Sequence, residues 1–171
     1  MIRVRSAVAE DAPAIARVHV RSWQSGYRGL MDQGILDAMS IDDRAARWVS
    51  ILQEPHPLTI DTLVAEIEDE VLGWVSFGAG RDEGADADGE VYGIYSDPGV
   101  WSRGTGYALL NAAEATLVAA GHQAAFLWVL DGNERADRFY ARNGWDEDGA
   151  TKVDERPDMT LREHRRVKHL R

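Results

Sequence analysis

Residues Ile2 to Val8 alternate apolar and polar side chains, the period-two signature of a half-buried strand. Glu10-Asp11-Ala12-Pro13 then opens a helix, with acids and a proline suited to a first turn, and this helix is expected to run to about Trp23. Ile15, Val18, His19 and Ser22 recur at three-four spacing and mark its inward stripe. Gly26 and Gly29 punctuate the stretch after that helix, and a second helix is expected from about Ile41 to Gln53, started by Asp42 and Asp43 and stopped by Pro55-His56-Pro57. From Leu63 the period changes: Leu63 to Ile67 and Val71 to Phe77 read as an antiparallel hairpin turned at Glu68-Asp69-Glu70. Glu90 to Ser96 is a third strand-like run, ended by Asp97-Pro98. Thr105 to Ala120 is the clearest helix, with Leu109, Leu110, Ala113 and Leu117 on one face and Gly121 as its stop. Ala124 to Leu130 reads as a buried strand, Asn133 to Arg142 as a short helix stopped by Gly144, and Met159 to Arg162 as a last strand.

The predicted order is β-α-α-β-β-β-α-β-α-β, an antiparallel meander followed by a strand-helix-strand crossover. That is a mixed α/β or α+β domain rather than a doubly wound sheet. The 171 residues hold no repeat and no linker, so one domain spanning 1–171 is expected, with the segment 161–171 as last strand plus tail.

Composition changes this picture in three ways. Cysteine is absent, which excludes disulfides, zinc-thiolate centres and a cysteine nucleophile, and favours a cytoplasmic setting. No apolar run is long enough to cross a membrane, and Met1 to Glu10 lacks the apolar stretch of a secretory signal, so an unprocessed chain is expected. A formal charge of -10 argues against a nucleic-acid partner. The charge is uneven: Arg81 to Glu90 is acidic and Leu161 to Arg171 is basic, the latter read as a frayed tail. A cationic ligand fits the overall balance better than an anionic polymer. His164 and His169 in that tail lack a third ligand, so no metal site is expected there.

Candidate chemistry concentrates at Trp101-Ser102-Arg103-Gly104-Thr105-Gly106-Tyr107-Ala108, directly before the strongest helix. Glycines there let a ligand approach the backbone, and unpaired amides at a helix start, aided by the helix dipole, suit a phosphate or pyrophosphate. A P-loop is excluded by the missing Gly-Lys-Ser/Thr, and a dinucleotide fingerprint by Leu109 where its third glycine belongs.

In context the segment resembles the acyl-CoA signature Q/R-x-x-G-x-G/A of the GNAT superfamily of N-acetyltransferases. Glu90 to Pro98 looks like that family's fourth strand, and Asn133 to Trp145 resembles its motif N-x-x-A-x-x-F-Y-x-x-x-G-F/W. Trp101 departs from the pattern, standing where Gln or Arg is usual. The resemblance is firm over residues 90–145 and looser over 1–77.

The resemblance implies a GNAT-like fold: a twisted, mostly antiparallel sheet whose fourth and fifth strands splay apart, flanked by about four helices. It implies acetyl-CoA in that gap and no metal. Cofactor contacts would come from Trp101, Ser102, Arg103, Gly104, Thr105, Gly106 and Tyr107, with the amides of Arg103, Gly104, Gly106 and Tyr107 at the pyrophosphate. Ile94, Tyr95 and Ser96 would pair with the pantetheine arm, and Asn133 would hold it from the other side. In a helix Asn133 and Tyr140 would share a face about 10.5 Å apart.

Tyr140 is then the candidate general acid, with core packing beside Phe139 as the alternative. The Ile94 amide is the candidate oxyanion donor. Glu90 is the candidate base, with a solvated strand-start carboxylate as the alternative, and strand alternation would put Glu90, Tyr92, Ile94 and Ser96 on one face. Trp23 and Tyr27, with Trp48 and Trp74, could wall an acceptor pocket, and Asp32 or the acids from Asp82 to Asp88 could attract an amine. His19 reads as a packed histidine first and a proton acceptor second.

The expected activity is acetyl transfer from acetyl-CoA to a small-molecule primary amine by direct attack in a ternary complex. A protein N-terminal or lysine acetyltransferase and a non-catalytic acyl-CoA-binding module are the alternatives. A homodimer fits the habit of many relatives.

Overall fold

The computed structural model describes residues 1–53, 60–82 and 87–171. The N-terminal alternation forms β1 (Ile2–Ser6), and the acid-proline start leads into α1 (Ala12–Gly26). Every residue of the predicted α1 stripe is buried: Ile15, Val18, His19 and Ser22. A short α2 (Gln33–Asp37), capped by the Asp32 carboxylate on the Ile35 amide, is an element beyond those expected, and α3 (Ile41–Gln53) follows as expected. The Pro55-His56-Pro57 stop lies outside the described residues.

The meander is β2 (Asp61–Ile67), β3 (Glu70–Ala79) and β4 (Gly89–Ser96). Glu68 and Asp69 make the two-residue turn between β2 and β3 with φ of 54° and 63°. A right-twisted hairpin wants that left-handed geometry, which glycine or asparagine adopts more easily than these two side chains.

After a 3-10 turn at Pro98–Val100 come α4 (Thr105–Ala119), β5 (Ala124–Leu130) and α5 (Glu134–Arg142). Leu109, Leu110 and Leu117 of α4 are buried against the sheet, each worth about 2 kcal/mol of apolar transfer. Beyond α5 the structure departs from expectation. Instead of one short strand and a tail, β6 (Asp146–Glu155) and β7 (Thr160–His169) form a long antiparallel pair.

The strand order is β1-β2-β3-β4-β5-β7-β6. All neighbours are antiparallel except β4 and β5, and α4 is the crossover that parallel neighbours require. That parallel pair is short: only Gly89 with Ala125 and Glu90 with Phe126 are in register, after which the strands diverge. The expected GNAT-like mixed α/β sheet with splayed fourth and fifth strands is the observed architecture, flanked by five helices among the described residues.

One cluster, with Val75, Phe77, Val91, Leu109, Leu127 and Trp145, fills the α4 face. The other, with Ile15, Val18, Trp48, Val64 and Trp74, lies beneath α1 and α3. Between Val91 and Gly93 the register slips, leaving Tyr92 without a partner on β3. This bulge corrects the simple alternation expected for β4. Glu90 pairs with Gly78, Gly93 with Ser76 and Tyr95 with Trp74 on one face, while Val91 and Ile94 share the other with Phe77 and Val75. Glu90 and Ile94 therefore face opposite sides of the sheet.

Relieving the turn strain should stabilise the fold. Asp69→Gly is expected to raise the unfolding free energy by about 1 kcal/mol in urea titration, with unchanged slope; a loss of stability would show that this turn bears no strain.

Candidate active site

The splay opens a cavity of about 1090 Å³ lined by β4, β5, the α4 start, α5, the end of α1 and parts of β6 and β7. Its sides follow from unmet backbone valence. From Val91 to Ser96 the β4 edge toward β5 has no strand partner, and α4 begins without a side-chain cap. Gly104, the N-cap, has a φ of 90° and Ser102 a φ of 62°. Left-handed residues interleaved in a turn bring successive amides to one concave side. The amides of Gly104, Thr105, Gly106 and Tyr107 have no acceptor among the described residues. The Arg103 amide differs from expectation, donating to the Val100 carbonyl at 3.3 Å. Gly106 matters for space: a Cβ there would sit 3.4 Å from the Phe139 ring and 3.9 Å from the Ser96 Oγ.

Two side chains of this segment do something other than expected. Thr105 turns inward against Gly73 of β3, its hydroxyl buried and unpartnered, so only its amide can face a ligand. Trp101 donates from its indole Nε1 to the Ser96 carbonyl at 2.8 Å, and the Arg135 guanidinium stacks 3.7 Å over its ring. The residue that breaks the sequence pattern is thus a strut between the end of β4 and α5, and it occupies one backbone acceptor expected to face the cofactor arm.

Asn133 is the N-cap of α5, its Oδ1 accepting the Ala136 amide at 3.2 Å, rather than a residue inside the helix. Its side-chain nitrogen has no partner among the described residues and the residue lines the cavity. Tyr140 is buried, yet its hydroxyl makes no hydrogen bond among the described residues and it also lines the cavity. Burial raises its pKa, so the phenol keeps its proton.

Ile94 and Tyr95 line the same cavity, and the Tyr95 hydroxyl meets that of Tyr27 at 3.0 Å. Burial pushes both phenols up. Trp23 lines the cavity with Tyr27, whereas Trp48 and Trp74 lie in the core beneath α1 and do not wall it. His19 packs among Trp23, Trp74 and Tyr95, stacked on the last with 5.6 Å between centroids. Burial, helped by the nearby Arg44 and Arg47, lowers its pKa to about 3, and neither ring nitrogen is bonded.

Glu90 is 2% exposed, which excludes a solvated strand-start carboxylate. The backbone amide, Nε and Nη2 of Arg81 donate to it at 2.8–3.0 Å. The expected amine attractors are also engaged: Asp82 accepts from the Trp128 indole, Asp88 from the amides of Gln123 and Ala124, and Asp32 from α2. Residues 83–86 lie outside the described residues.

What sequence reasoning misses comes from β6 and β7. Lys152, Asp154, Leu161 and Glu163 on these strands and Arg156 just after β6 line the cavity, and of the five only Leu161 falls where the sequence reads as strand. The described lining carries Arg81, Arg135, Arg138, Arg142, Lys152 and Arg156 against Asp82, Glu90, Asp154 and Glu163. An acidic chain therefore presents a cation-rich cavity, a local bias that the overall balance does not show.

His164 is not a tail residue either. Its ring nitrogens lie 2.9 Å from Asp131 and 2.8 Å from Asp137, while Arg166 binds Asp137 and Glu147. Ligand atoms of Asp137, Glu147 and His164 all lie within 4.8 Å of one another, so His164 does have acidic companions, and the Arg166 guanidinium neutralises both carboxylates. The cluster clamps α5, and hence Tyr140, to β7. No helix among the described residues is long and apolar enough to cross a membrane.

Comparison with known proteins places these features. The model of the Acetyltransferase (GNAT) family matches residues 21–145. An uncharacterized N-acetyltransferase of Bacillus subtilis, YuaI, is 32% identical over 133 residues, covering 78% of this chain and 74% of that protein. A probable N-acetyltransferase of Mycobacterium tuberculosis, Rv2775, is 26% identical, with 88% and 83% covered. Among solved structures, the PaiA N-acetyltransferase of Thermoplasma acidophilum, in complex with coenzyme A, superposes with a TM-score of 0.75 at 19% identity, with 99% of each chain covered. A GCN5-related N-acetyltransferase from Rhodopseudomonas palustris gives 0.78 at 21% identity, covering 98% of this chain and 95% of that one.

The α5 clamp gives a pH signature. Burial opposes the His164 charge, but Asp131 and Asp137 outweigh it and raise its pKa. A raised folded-state pKa contributes stability that is complete below the unfolded value of about 6.5 and is lost as pH rises through the folded value. Urea unfolding between about pH 6.5 and about pH 9 should show this decline, and His164→Gln should flatten it; an equal decline in the variant would remove His164 as its source.

Proposed function

This chain belongs to the acetyltransferase (GNAT) family and is an N-acetyltransferase, and on that premise we propose that it moves an acetyl group from acetyl-CoA to a primary amine of a small molecule by direct attack in a ternary complex. The main support is the wedge itself: unpaired first-turn amides of α4 at one end, the open edge of β4 along one side, and a free Tyr140 hydroxyl between β4 and α5.

The residues present fit the cofactor. The amides of Gly104, Thr105, Gly106 and Tyr107, at the positive end of the helix dipole, would hold the pyrophosphate. Gly106 leaves the space between Ser96 and Phe139 open, and the cation-rich lining suits a polyanion. The β4 edge from Ile94 onward and the Asn133 amide would hold the pantetheine arm. When bound, acetyl-CoA supplies an activated acetyl thioester.

The protein's part is orientation and proton handling. Tyr140, kept protonated by burial, donates to the departing sulfur. The Ile94 amide, on the strand with the open edge, would donate toward the developing oxyanion. Trp23 and Tyr27 from α1 shape the acceptor's side of the cavity. The chain holds no cysteine, so an acetyl-cysteine route is closed, which supports direct attack of the amine on the thioester.

Two variants separate these roles. Tyr140→Phe should lower kcat by about 100-fold and leave the acetyl-CoA Kd within about twofold, as read by CoA release and calorimetry. Gly106→Leu, at a helical position that accepts a side chain, should weaken acetyl-CoA binding by about 100-fold. Full activity in the first would make Tyr140 a packing residue, and unchanged affinity in the second would misplace the cofactor.

A further inference from the structure

The cavity is lined by the buried Glu90 and the half-buried Glu163, both facing the α1 side of the sheet, and their bonding differs sharply. Glu90 receives three donors from Arg81. Glu163, on β7 opposite Leu130 of β5 and Lys152 of β6, has one ion contact among the described residues, the Lys152 Nζ at 3.6 Å, too long for a full hydrogen bond. That ammonium also lies 4.4 Å from the Trp128 ring centroid, so its charge is shared. The Glu163 side chain is 19% exposed and borders the cavity.

The same cavity is lined by Tyr27 and Tyr95, whose hydroxyls are linked and whose pKa values are raised by burial and, to a lesser degree, by the Glu163 carboxylate. Tyr140 in turn feels Tyr95. The carboxylate, the phenol pair and the candidate acid thus line one cavity.

We propose that Glu163, rather than Glu90, is the base of this enzyme, receiving a proton from the acceptor ammonium as it enters between α1 and the β7 wall. This rests on the acetyl-transfer reading above and names how its amine is activated. The acceptor arrives as R-NH3+ and gives one proton to a Glu163 oxygen, becoming a neutral nucleophile. Its lone pair forms the carbon-nitrogen bond, and the carbon-sulfur bond breaks with its electron pair on sulfur. Tyr140 protonates that sulfur, and the nitrogen, which still carries one proton too many, returns a proton to the Tyr140 oxygen. Glu163 releases its own proton to solvent, so the cycle closes with one amide, one thiol and one proton.

The surroundings favour this exchange. Burial raises the Glu163 pKa, as does Asp154, while Lys152 on β6 and Arg156 just after it lower it, and Tyr27 and Tyr95 stay neutral phenols. Glu90, by contrast, already accepts three hydrogen bonds from Arg81.

Three measurements test the assignment. With acetyl-CoA and either glycinamide or cadaverine, whose ammonium pKa values are about 8 and about 10, Glu163→Gln should lower kcat/KM near pH 7 by about 100-fold. The loss should be larger for cadaverine and should shrink as pH approaches the ammonium pKa, while the acetyl-CoA Kd stays within about twofold. Glu163→Asp should recover part of the rate. A wild-type pH profile in Glu163→Gln overturns the proposal, and so does a parallel loss of acetyl-CoA affinity, which would mark Glu163 as wall. Selective carboxyl labelling of the native protein and NMR titration read the residue without any acceptor: a midpoint above the ordinary glutamate value of about 4.3 is expected, and one at or below it overturns the base role. Absence of CoA release by the wild type with every amine would instead strike the acetyl-transfer reading, with the carboxyl titration still deciding on Glu163.

Discussion

The structure turns on a main-chain constraint: β4 and β5 run parallel for two rungs and then part. A buried strand edge must satisfy its amides and carbonyls, and separation leaves a row of them facing a wedge. The bulge at Tyr92 adds to the divergence by placing an unpartnered residue in β4. Trp101 and Arg135 cap the wide end, and α4 presents its unpaired first turn there. Everything assigned to binding or chemistry borders this gap, which sheet geometry creates and side chains only line.

The electrostatics follow a second logic. A net charge of -10 says little about the interior of the cavity, where six basic and four acidic side chains of the described residues meet. Most are locally paired: Arg81 with Glu90, Arg138 with Glu134, Arg156 with Asp154. Arg135 and Arg142 have no carboxylate partner among the described residues, which gives the wedge its basic bias. Whole-chain charge bears on solubility and long-range steering, and local valence decides what a pocket holds.

The first five strands and the long helices are legible in the sequence because their apolar periods are strong and many of their stops are glycine or proline. Ala124–Leu130 is an example, legible to the residue. The wedge is legible through the glycine segment and the Asn133-to-Trp145 motif. β6 and β7 are not. Their faces are charged, and beside the backbone ladders their side-chain links to each other and to α4 are ionic: Arg165 to Asp148, Arg166 to Glu147, Lys168 to Glu114. Hydrophobic alternation is silent about such strands, so Glu163 hides in what looks like a solvated basic run. The β4 faces escape simple alternation for a different reason, since a bulge costs one residue of register and one sequence carries no mark of it. Trp101 stands out in the sequence as an exception, but only the structure shows it bonded to Ser96 and stacked under Arg135.

The order β5-β7-β6 has a kinetic consequence. β7 follows β6 in the chain yet lies between β6 and β5, so β6 has no edge to join until β7 has formed. During synthesis the meander, α4 and β5 can assemble while the outer side of Ala124–Leu130 stays bare, an apolar edge of the kind that pairs with other chains. The β6-β7 hairpin then docks as one unit and closes that edge. Its arrival also delivers one whole wall of the cavity, so nascent chains should pass from an exposed, aggregation-prone state that already holds the β4 edge and the α4 amides to a complete site in a single docking step.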